Sequence, residues 1–379
     1  MRVCVVVNNS VWYDPRVKKQ IEEYHAAGID VCVVGLRDKR YDSSEINRIP
    51  GKITIVDIDQ KLYSGKRSYL KIIKREFLIV KRIKNAIIAF HPDVIHANDL
   101  NALIPSYYAS KKLSCGLIYD SHEIWLDNFA PSFAERFIYG YYEKKIVKKV
   151  DKFICVSHAT ADYFADKYHI EKPTVITNCV RRVPASVRTA QKSEYFEVLN
   201  HGLFYEGRGY DLMVKAAKQL DESNIHYVLR GFGVMEKSLR QEVAKSGVNN
   251  VVFEPPVKVE ELIPKAAHSH VGIAITEPIC LSFKLTVSNK LFEYAAAGLP
   301  VIMSDVPEHR MLNEKYKFGI VLKENTAECL NEAVKELYNN KILYVEMSQN
   351  ATAMSDEINW EKEFGRLIDF ELKRFSTNN

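Results

Sequence analysis

Three groups of residues have the types and spacing to do chemistry. Asn98 and Asp99 close the apolar run Val94-Ile95-His96-Ala97, and His122 and Glu123 close the run Leu117-Ile118-Tyr119-Asp120-Ser121. Strand ends of a parallel α/β sheet gather on one rim, where such sheets bind ligands, so these four side chains share a rim. An imidazole there can hold or pass a proton near neutral pH, although a lone histidine is more often structural. Gly207-Arg208-Gly209 stands between a strand and a helix, a glycine loop with one cation. Such loops hold phosphate, because glycine permits close approach and helix amides point at the anion. The stretch Ser288 to Pro300 reads as a short capped helix, closed by Gly298 and Pro300, with Glu293 in its first turn and the strand Val301-Ile302-Met303 behind it. Alone, that glutamate is equally a complement to the helix dipole.

The elements that must carry these groups follow from period and punctuation. Val3 to Val7 reads as a buried strand, and Asp14-Pro15 starts a helix with Asp as N-cap and Pro at the first position. Gly28 ends that helix and Val31 to Gly35 is the next strand, a βαβ unit of the doubly wound kind. Asp14 and Arg16 are placed at its ligand rim, against the plainer reading of a capping Asp and a solvated Arg. Residues 181–194 mix Pro, Ser, Arg and Gln without periodicity and read as an interdomain linker. A second set restarts at Phe196, with a Gly-rich turn at Gly231 and Gly233, the strand Val271 to Ile275, and Glu277 after it. The expected domains are 1–180 and 195–355, with 356–379 forming an amphipathic terminal helix.

A length of 379 residues exceeds one ordinary hydrophobic core and argues for two domains. Hydrophobic content of 47% and charged content of 27% are those of a globular protein and exclude disordered and collagen-like classes. The seven cysteines form no CxxC pair and read as core residues of a reducing compartment. The amino terminus has too short an apolar run for a signal peptide, and no stretch is long enough to span a bilayer, so a cytoplasmic location is expected. A net charge of +5 is mild and does not call for nucleic acid. Its distribution matters more: residues 61–90 carry many Lys and Arg against one acid, Glu76, with a helical apolar face. Such a helix lies on anionic lipid, here the inner face of the plasma membrane, or covers a sheet with a solvated outer side. Asp57-Ile58-Asp59 is too short a motif to argue for a metal, and His268 with His270 lacks a third ligand, so no metal is expected.

Lys290-Leu291-Phe292-Glu293-Tyr294 followed by Ala297-Gly298-Leu299-Pro300-Val301-Ile302 resembles the donor-sugar signature of retaining glycosyltransferases of the GT-B fold, specifically glycosyltransferase family 4. The Tyr-Asp-Ser-His-Glu run ending at Glu123, the strand-end Asn178 and Gly319-Ile320-Val321 are similar to the same family. The resemblance implies an α/β fold of two Rossmann-like domains facing a central cleft, with the C-terminal helix crossing back to the N-terminal domain. It implies a hexosyltransferase that takes a nucleoside diphosphate sugar, UDP-linked by preference or GDP-linked, to a glycan or lipid-linked acceptor with retention and no metal or other cofactor, in cell-surface polysaccharide synthesis. Glu293 would accept from the ribose hydroxyls, and Arg208 with Gly207, Gly209 and Gly231 would meet the diphosphate. Asn289, Lys290 and Leu291 would line the donor. His122 would stand near the anomeric carbon, with Asp99 and Glu123 orienting the acceptor beside Asn98, Asp14 and Arg16. The family often has a second acid where this chain has Leu285, so Glu277 or Lys290 is expected to serve the sugar instead. A nucleotide-sugar 2-epimerase of the same architecture and a noncatalytic partner subunit remain alternatives.

Overall fold

Val3 to Val7 are 0–2% exposed along their whole length, the mark of a parallel strand covered on both faces. A computed structural model of the chain describes residues 1–9, 11, 14–37, 48–56, 69–127 and 133–375. The Asp57-Ile58-Asp59 motif and residues 61–68 lie outside them. The chain divides into two units, Met1–Thr177 with Glu361–Asn379, and Asn178–Trp360.

In the first unit, strands β1 (Arg2–Val7), β2 (Asp30–Leu36), β3 (Lys52–Val56), β4 (Val94–Asn98), β5 (Gly116–Ser121), β6 (Lys152–Cys155) and β7 (Thr174–Val175) form one parallel sheet in the order β3-β2-β1-β4-β5-β6-β7. Its helices include α1 (Pro15–Ala26), α2 (Tyr69–Phe90), α3 (Leu100–Leu113), α4 (Phe133–Ile146) and α5 (His158–Tyr168). The strand order reverses between β1 and β4, which opens a crevice at the carboxyl end of β4, where Asn98 and Asp99 sit.

The second unit repeats the plan. Strands β8 (Phe196–Leu203), β9 (Ile225–Phe232), β10 (Val251–Glu254), β11 (Val271–Ala274), β12 (Val301–Ser304) and β13 (Gly319–Leu322) run parallel in the order β10-β9-β8-β11-β12-β13. Here the reversal falls between β8 and β11, so the loop 203–209 after β8 and the loop 275–280 after β11 meet at the switch point. Glu277 N–H donates to the Gly207 carbonyl at 3.0 Å and ties the two loops together.

Residues 181–194 are not a free linker. Arg188 holds Asp356 at 2.8 Å and donates to the Ala296 carbonyl, while Lys192 Nζ donates to the Ala267 and Ser269 carbonyls at 2.9 and 2.8 Å. The polar, proline-containing composition suggests a spacer, yet its cations satisfy helix-end and loop carbonyls of the second unit. The boundaries therefore fall at Thr177 and Trp360 rather than at 180 and 355. The seven cysteines are all free.

The terminal helix Trp360–Phe375 packs, from Glu361 on, within the first unit. Phe364 meets the Tyr24 ring edge-on at 5.2 Å, and the Tyr24 hydroxyl donates to Glu371 Oε1 at 2.5 Å while meeting His96 Nδ1 at 2.8 Å. Burial pushes the Glu371 carboxyl up to about 8, against the pull of the Tyr24 hydrogen bond. An acid whose folded pKa lies above its unfolded one destabilises the fold as pH rises from near 4.5 through 8. We expect Glu371→Gln to gain stability relative to the parent progressively over that window and to hold the gain above it, read from urea midpoints at each pH. A pH-independent difference would contradict this.

Candidate functional site: two strand-end clusters

On β8, Asn200 joins Lys290 to the loop that carries Arg208. Its Oδ1 accepts from Lys290 Nζ at 2.5 Å and its Nδ2 donates to the Arg208 carbonyl at 3.0 Å. Arg208 itself stacks over the Phe283 ring at 4.4 Å, and Lys290 Nζ stands 5.1 Å from the centre of the Tyr210 ring. Burial pushes the Lys290 ammonium down to about 7, the Arg208 charge acts in the same direction, and Glu293 opposes both. The Tyr210 hydroxyl is buried without a hydrogen-bond partner, as is His201 Nδ1 one residue after Asn200. A lysine held by a neutral amide, an arginine charge close enough to depress it, and unsatisfied polar atoms beside them make a site built for an anion with oxygen acceptors.

Backbone geometry sets the loop. Gly209 has φ +78° and begins the helix Tyr210–Lys218, and a Cβ there would lie 2.5 Å from the Ile275 Cβ. Gly231 has φ +147°, and a Cβ would lie 1.8 Å from the Gly202 carbonyl oxygen, so its role is close strand packing.

The helix expected near Ser288 runs over Asn289–Ala296, and Gly298 follows with φ +71°. Glu293 lies in its second turn, not the first, being the fifth helical residue from Asn289. Its Oε2 meets His201 Nε2 at 2.7 Å, and the His201 ring stacks on Tyr294 at 4.5 Å. Dipole complementation is therefore not its role. Ser288 makes no side-chain cap; its N–H donates to His309 Nε2 at 3.3 Å, and His309 Nδ1 donates to the Ser304 carbonyl at 3.1 Å. Burial pulls His309 down to about 4, so it stays neutral with the proton on Nδ1 and pins the helix start to the end of β12. Ser304 Oγ also accepts from Thr276 N–H at 2.8 Å, anchoring the loop after β11. Asn289 is exposed, whereas Leu291 is fully buried, so Leu291 supplies packing and not a ligand contact. Burial raises the Glu277 carboxyl, with Asp211 adding to the effect.

At the end of β4 in the first unit, Asp99 adopts φ 66°, a left-handed conformation that costs a non-glycine residue roughly 1–3 kcal/mol and clusters at functional sites. Its Oδ1 accepts the His122 N–H at 2.9 Å and its Oδ2 lies 3.5 Å from His122 Nδ1. His122 Nε2 donates to Asn98 Oδ1 at 2.9 Å and lies 3.7 Å from Asp120 Oδ2. Burial alone would lower the imidazole; Asp99 and Asp120 outweigh it and hold His122 up at about 9. Burial pushes Asp99 itself up to about 6. At neutral pH the cluster is an imidazolium, 16% exposed, steadied by two carboxylates.

One expectation is corrected here. Arg16 does not face the rim: it is 2% exposed and forks Asp120 with contacts of 2.9–3.0 Å, while Nη1 donates to the Ile176 carbonyl. Asp14 caps α1, accepting from the N–H groups of Arg16 and Val17 at 3.1 Å, and its charge still reaches Asp99 and His122 at the rim. Asn98 is buried and reaches the cluster only through His122. Glu123 stays partly exposed next to His122, with its carbonyl accepting from Ser121 Oγ at 2.8 Å. Sequence reasoning also missed Asp120, which Gln20 and His96 contact at 2.7 and 3.4 Å, and Asn200 and His201. The available signal was polar residues inside runs that had to be buried on both faces. His268 and His270 bond the Gln191 carbonyl and the Glu197 N–H, and among the described residues no three His, Cys, Asp or Glu side chains cluster as a metal site would require.

Burial opposes ionisation of Asp120, yet Arg16 keeps its carboxyl well below the usual range. Removing Arg16 alone strands that charge, which costs about 3–5 kcal/mol. We expect Arg16→Met to lower the calorimetric melting temperature sharply and Arg16→Met with Asp120→Leu to recover most of the loss. Equal melting of the two variants would contradict a buried pair.

With this geometry in place, comparison with known proteins is informative. A sequence model of Glycosyltransferase Family 4 matches residues 16–182, and one of Glycosyl transferases group 1 matches residues 185–354. An uncharacterized glycosyltransferase of Haemophilus influenzae is 22% identical over 86% of this chain and 90% of its own. Anabaena HepE in complex with UDP shares the fold with a TM-score of 0.77 at 15% identity, over 98% of this chain and 99% of that one. Sucrose-phosphate synthase of Thermosynechococcus elongatus does so with a TM-score of 0.76 at 14% identity, over the full length of both. With one half matched by each model and two Rossmann-like units of the GT-B kind, the chain belongs to the group 1, family 4 glycosyltransferases.

Proposed function

We propose that this glycosyltransferase moves a hexosyl unit from a nucleoside diphosphate sugar, UDP-linked in preference to GDP-linked, to a hydroxyl of a glycan or lipid-linked acceptor. The setting is cell-surface polysaccharide synthesis at the cytoplasmic face of the membrane. The observation that carries the donor assignment is Lys290 held on Asn200 with the Arg208 charge acting on it and the Tyr210 hydroxyl unsatisfied beside it. A diphosphate is an anion of the right chemistry, with acceptor oxygens for each of these donors. That Anabaena HepE has been solved with UDP and with UDP-glucose supports the uridine form. Glu293, held by His201, accepts from the ribose hydroxyls, and the exposed side chains Leu203, Phe232 and Val234 at the ends of β8 and β9 offer an apolar surface for the base.

In this reading Arg208 and Lys290 stabilise the leaving diphosphate where its charge develops, so that fixed cations do the work a metal does elsewhere. His122, kept protonated by Asp99 and Asp120, donates to a sugar or phosphate oxygen, and Glu123 orients the acceptor hydroxyl. Retention of anomeric configuration by front-face displacement belongs to the same proposal. Glu277, beside the phosphate loop, takes a sugar hydroxyl in place of the acid absent at Leu285.

Losing a carboxylate that accepts hydroxyl hydrogen bonds costs about 1.5–3 kcal/mol. Glu293→Ala is accordingly expected to weaken UDP-sugar binding roughly tenfold to a hundredfold by calorimetry, while the variant still unfolds cooperatively, at a lower temperature because the buried His201 loses its partner. His122→Asn should lower kcat on the order of a hundredfold with donor affinity retained. Coupling of radiolabelled donor to an acceptor glycan separates transfer from epimerisation. Absence of nucleotide binding by the parent protein would overturn the reading.

A further inference from the structure

Helices α2, α3 and α4 follow one another in a single layer over the first sheet, with α3 packed against both others. α4 has two opposed rows. Tyr139, Glu143 and Ile146 are buried, whereas Phe133, Phe137 and Tyr141 recur at intervals of four and are 87%, 73% and 58% exposed. α2 behaves alike: Ile79, Ile83 and Ile87 face inward, and Phe77 and Ile73 stand out at 65% and 54% exposure. The two helices are cross-linked, because the Tyr139 hydroxyl donates to Glu76 Oε2 at 2.5 Å and Arg75 reaches Glu135 at 3.6 Å. Both aromatic rows thus point away from the sheet on the same layer.

Cations surround these rings. Lys145 stands 5.7 Å over the Tyr141 ring, and Lys111 and Lys149 stand 5.9 and 5.7 Å over Tyr107. Lys74, Lys81, Lys144 and Lys148 are exposed around them. The acids on the described residues of these helices are all engaged: Glu76 and Glu135 with Arg75, and Glu143 buried with the Tyr119 and Tyr168 hydroxyls. No helix among the described residues is long and apolar enough to cross a membrane. Large apolar tips in a field of positive charge match an interface with acyl chains beneath anionic headgroups, where each cation adds about 1 kcal/mol and aromatic rings sit at headgroup depth. A second copy of the same face is disfavoured by like charge.

We propose that the outer face of α2, α3 and α4 docks on an anionic phospholipid surface, with Phe133, Phe137 and Phe77 inserted and the lysines on the headgroups. The surface is centred on α4 and its neighbours, rather than on the basic segment 61–90 alone. The docking does not depend on the donor assignment, since it needs no nucleotide. The test is sedimentation of the full-length chain with vesicles of phosphatidylcholine alone and of phosphatidylcholine with phosphatidylglycerol. The parent should partition onto the anionic vesicles, less so in high salt. Phe133→Ser with Phe137→Ser should lose at least tenfold in partition at unchanged melting temperature and unchanged UDP binding, as should Lys144→Glu with Lys145→Glu. Failure to bind anionic vesicles, or equal binding by parent and variants, overturns the proposal. So does a lipid-free dimer, seen by analytical ultracentrifugation, that the phenylalanine variant abolishes.

Discussion

One lysine is held on a neutral amide of β8 within reach of an arginine charge, and much of the second unit serves to keep the two there. Lys290 would find a carboxylate or water more comfortable than the Asn200 oxygen and the face of Tyr210, and its pKa near 7 records that discomfort. The glycines at 207 and 209 turn the backbone so that Arg208 reaches the same region, and His309 pins the helix that carries Lys290 and Glu293. Stability given up to desolvate like charges is recoverable by an anion that enters between them, which is how a preorganised site favours its ligand.

The first unit solves the opposite problem. Its histidine is given more negative charge than it needs: Asp99 and Asp120 hold His122 protonated, and Arg16 with Gln20 keeps Asp120 ionised in a fully buried position. From Asp120 a buried contact chain continues through His96 and Tyr24 to Glu371 on the terminal helix. The orientation of a strand-end histidine is thereby tied to the seating of the last helix within the same unit. A cation that stays charged through neutral pH suits a role as donor to oxygen, and suits general base chemistry poorly.

Much of this was legible in the sequence, and the failures have physical causes. β-branched runs ended by Asn98-Asp99 and His122-Glu123 located the first cluster, because polar residues at the ends of doubly covered strands have few other uses. The signature helix was readable from its Ser288 cap position, Gly298 and Pro300, but Glu293, the fifth helical residue from Asn289, falls in the second turn and not the first. Arg16 misled because the loop before it lies at the carboxyl end of the first strand, where such sheets bind ligands. Only the fold shows that Asp120, distant in sequence, waits for it inside the sheet. Residues 181–194 read as a spacer because composition cannot report which carbonyls a lysine such as Lys192 will find. Which aromatic residues of α4 face outward depends on the buried row that Glu143 and Tyr139 define.

The proposed diphosphate site makes one direct demand: with burial pushing the Lys290 ammonium down to about 7, an anion bound beside it is to draw a proton onto the amine. The direct measurement is titration calorimetry of UDP at pH 8 in buffers of differing ionisation enthalpy, repeated with Lys290→Met. Binding to the parent should take up close to one proton, affinity should fall as pH rises above 7, and both effects should vanish in the variant. Binding without proton uptake, or uptake that survives the substitution, would contradict it.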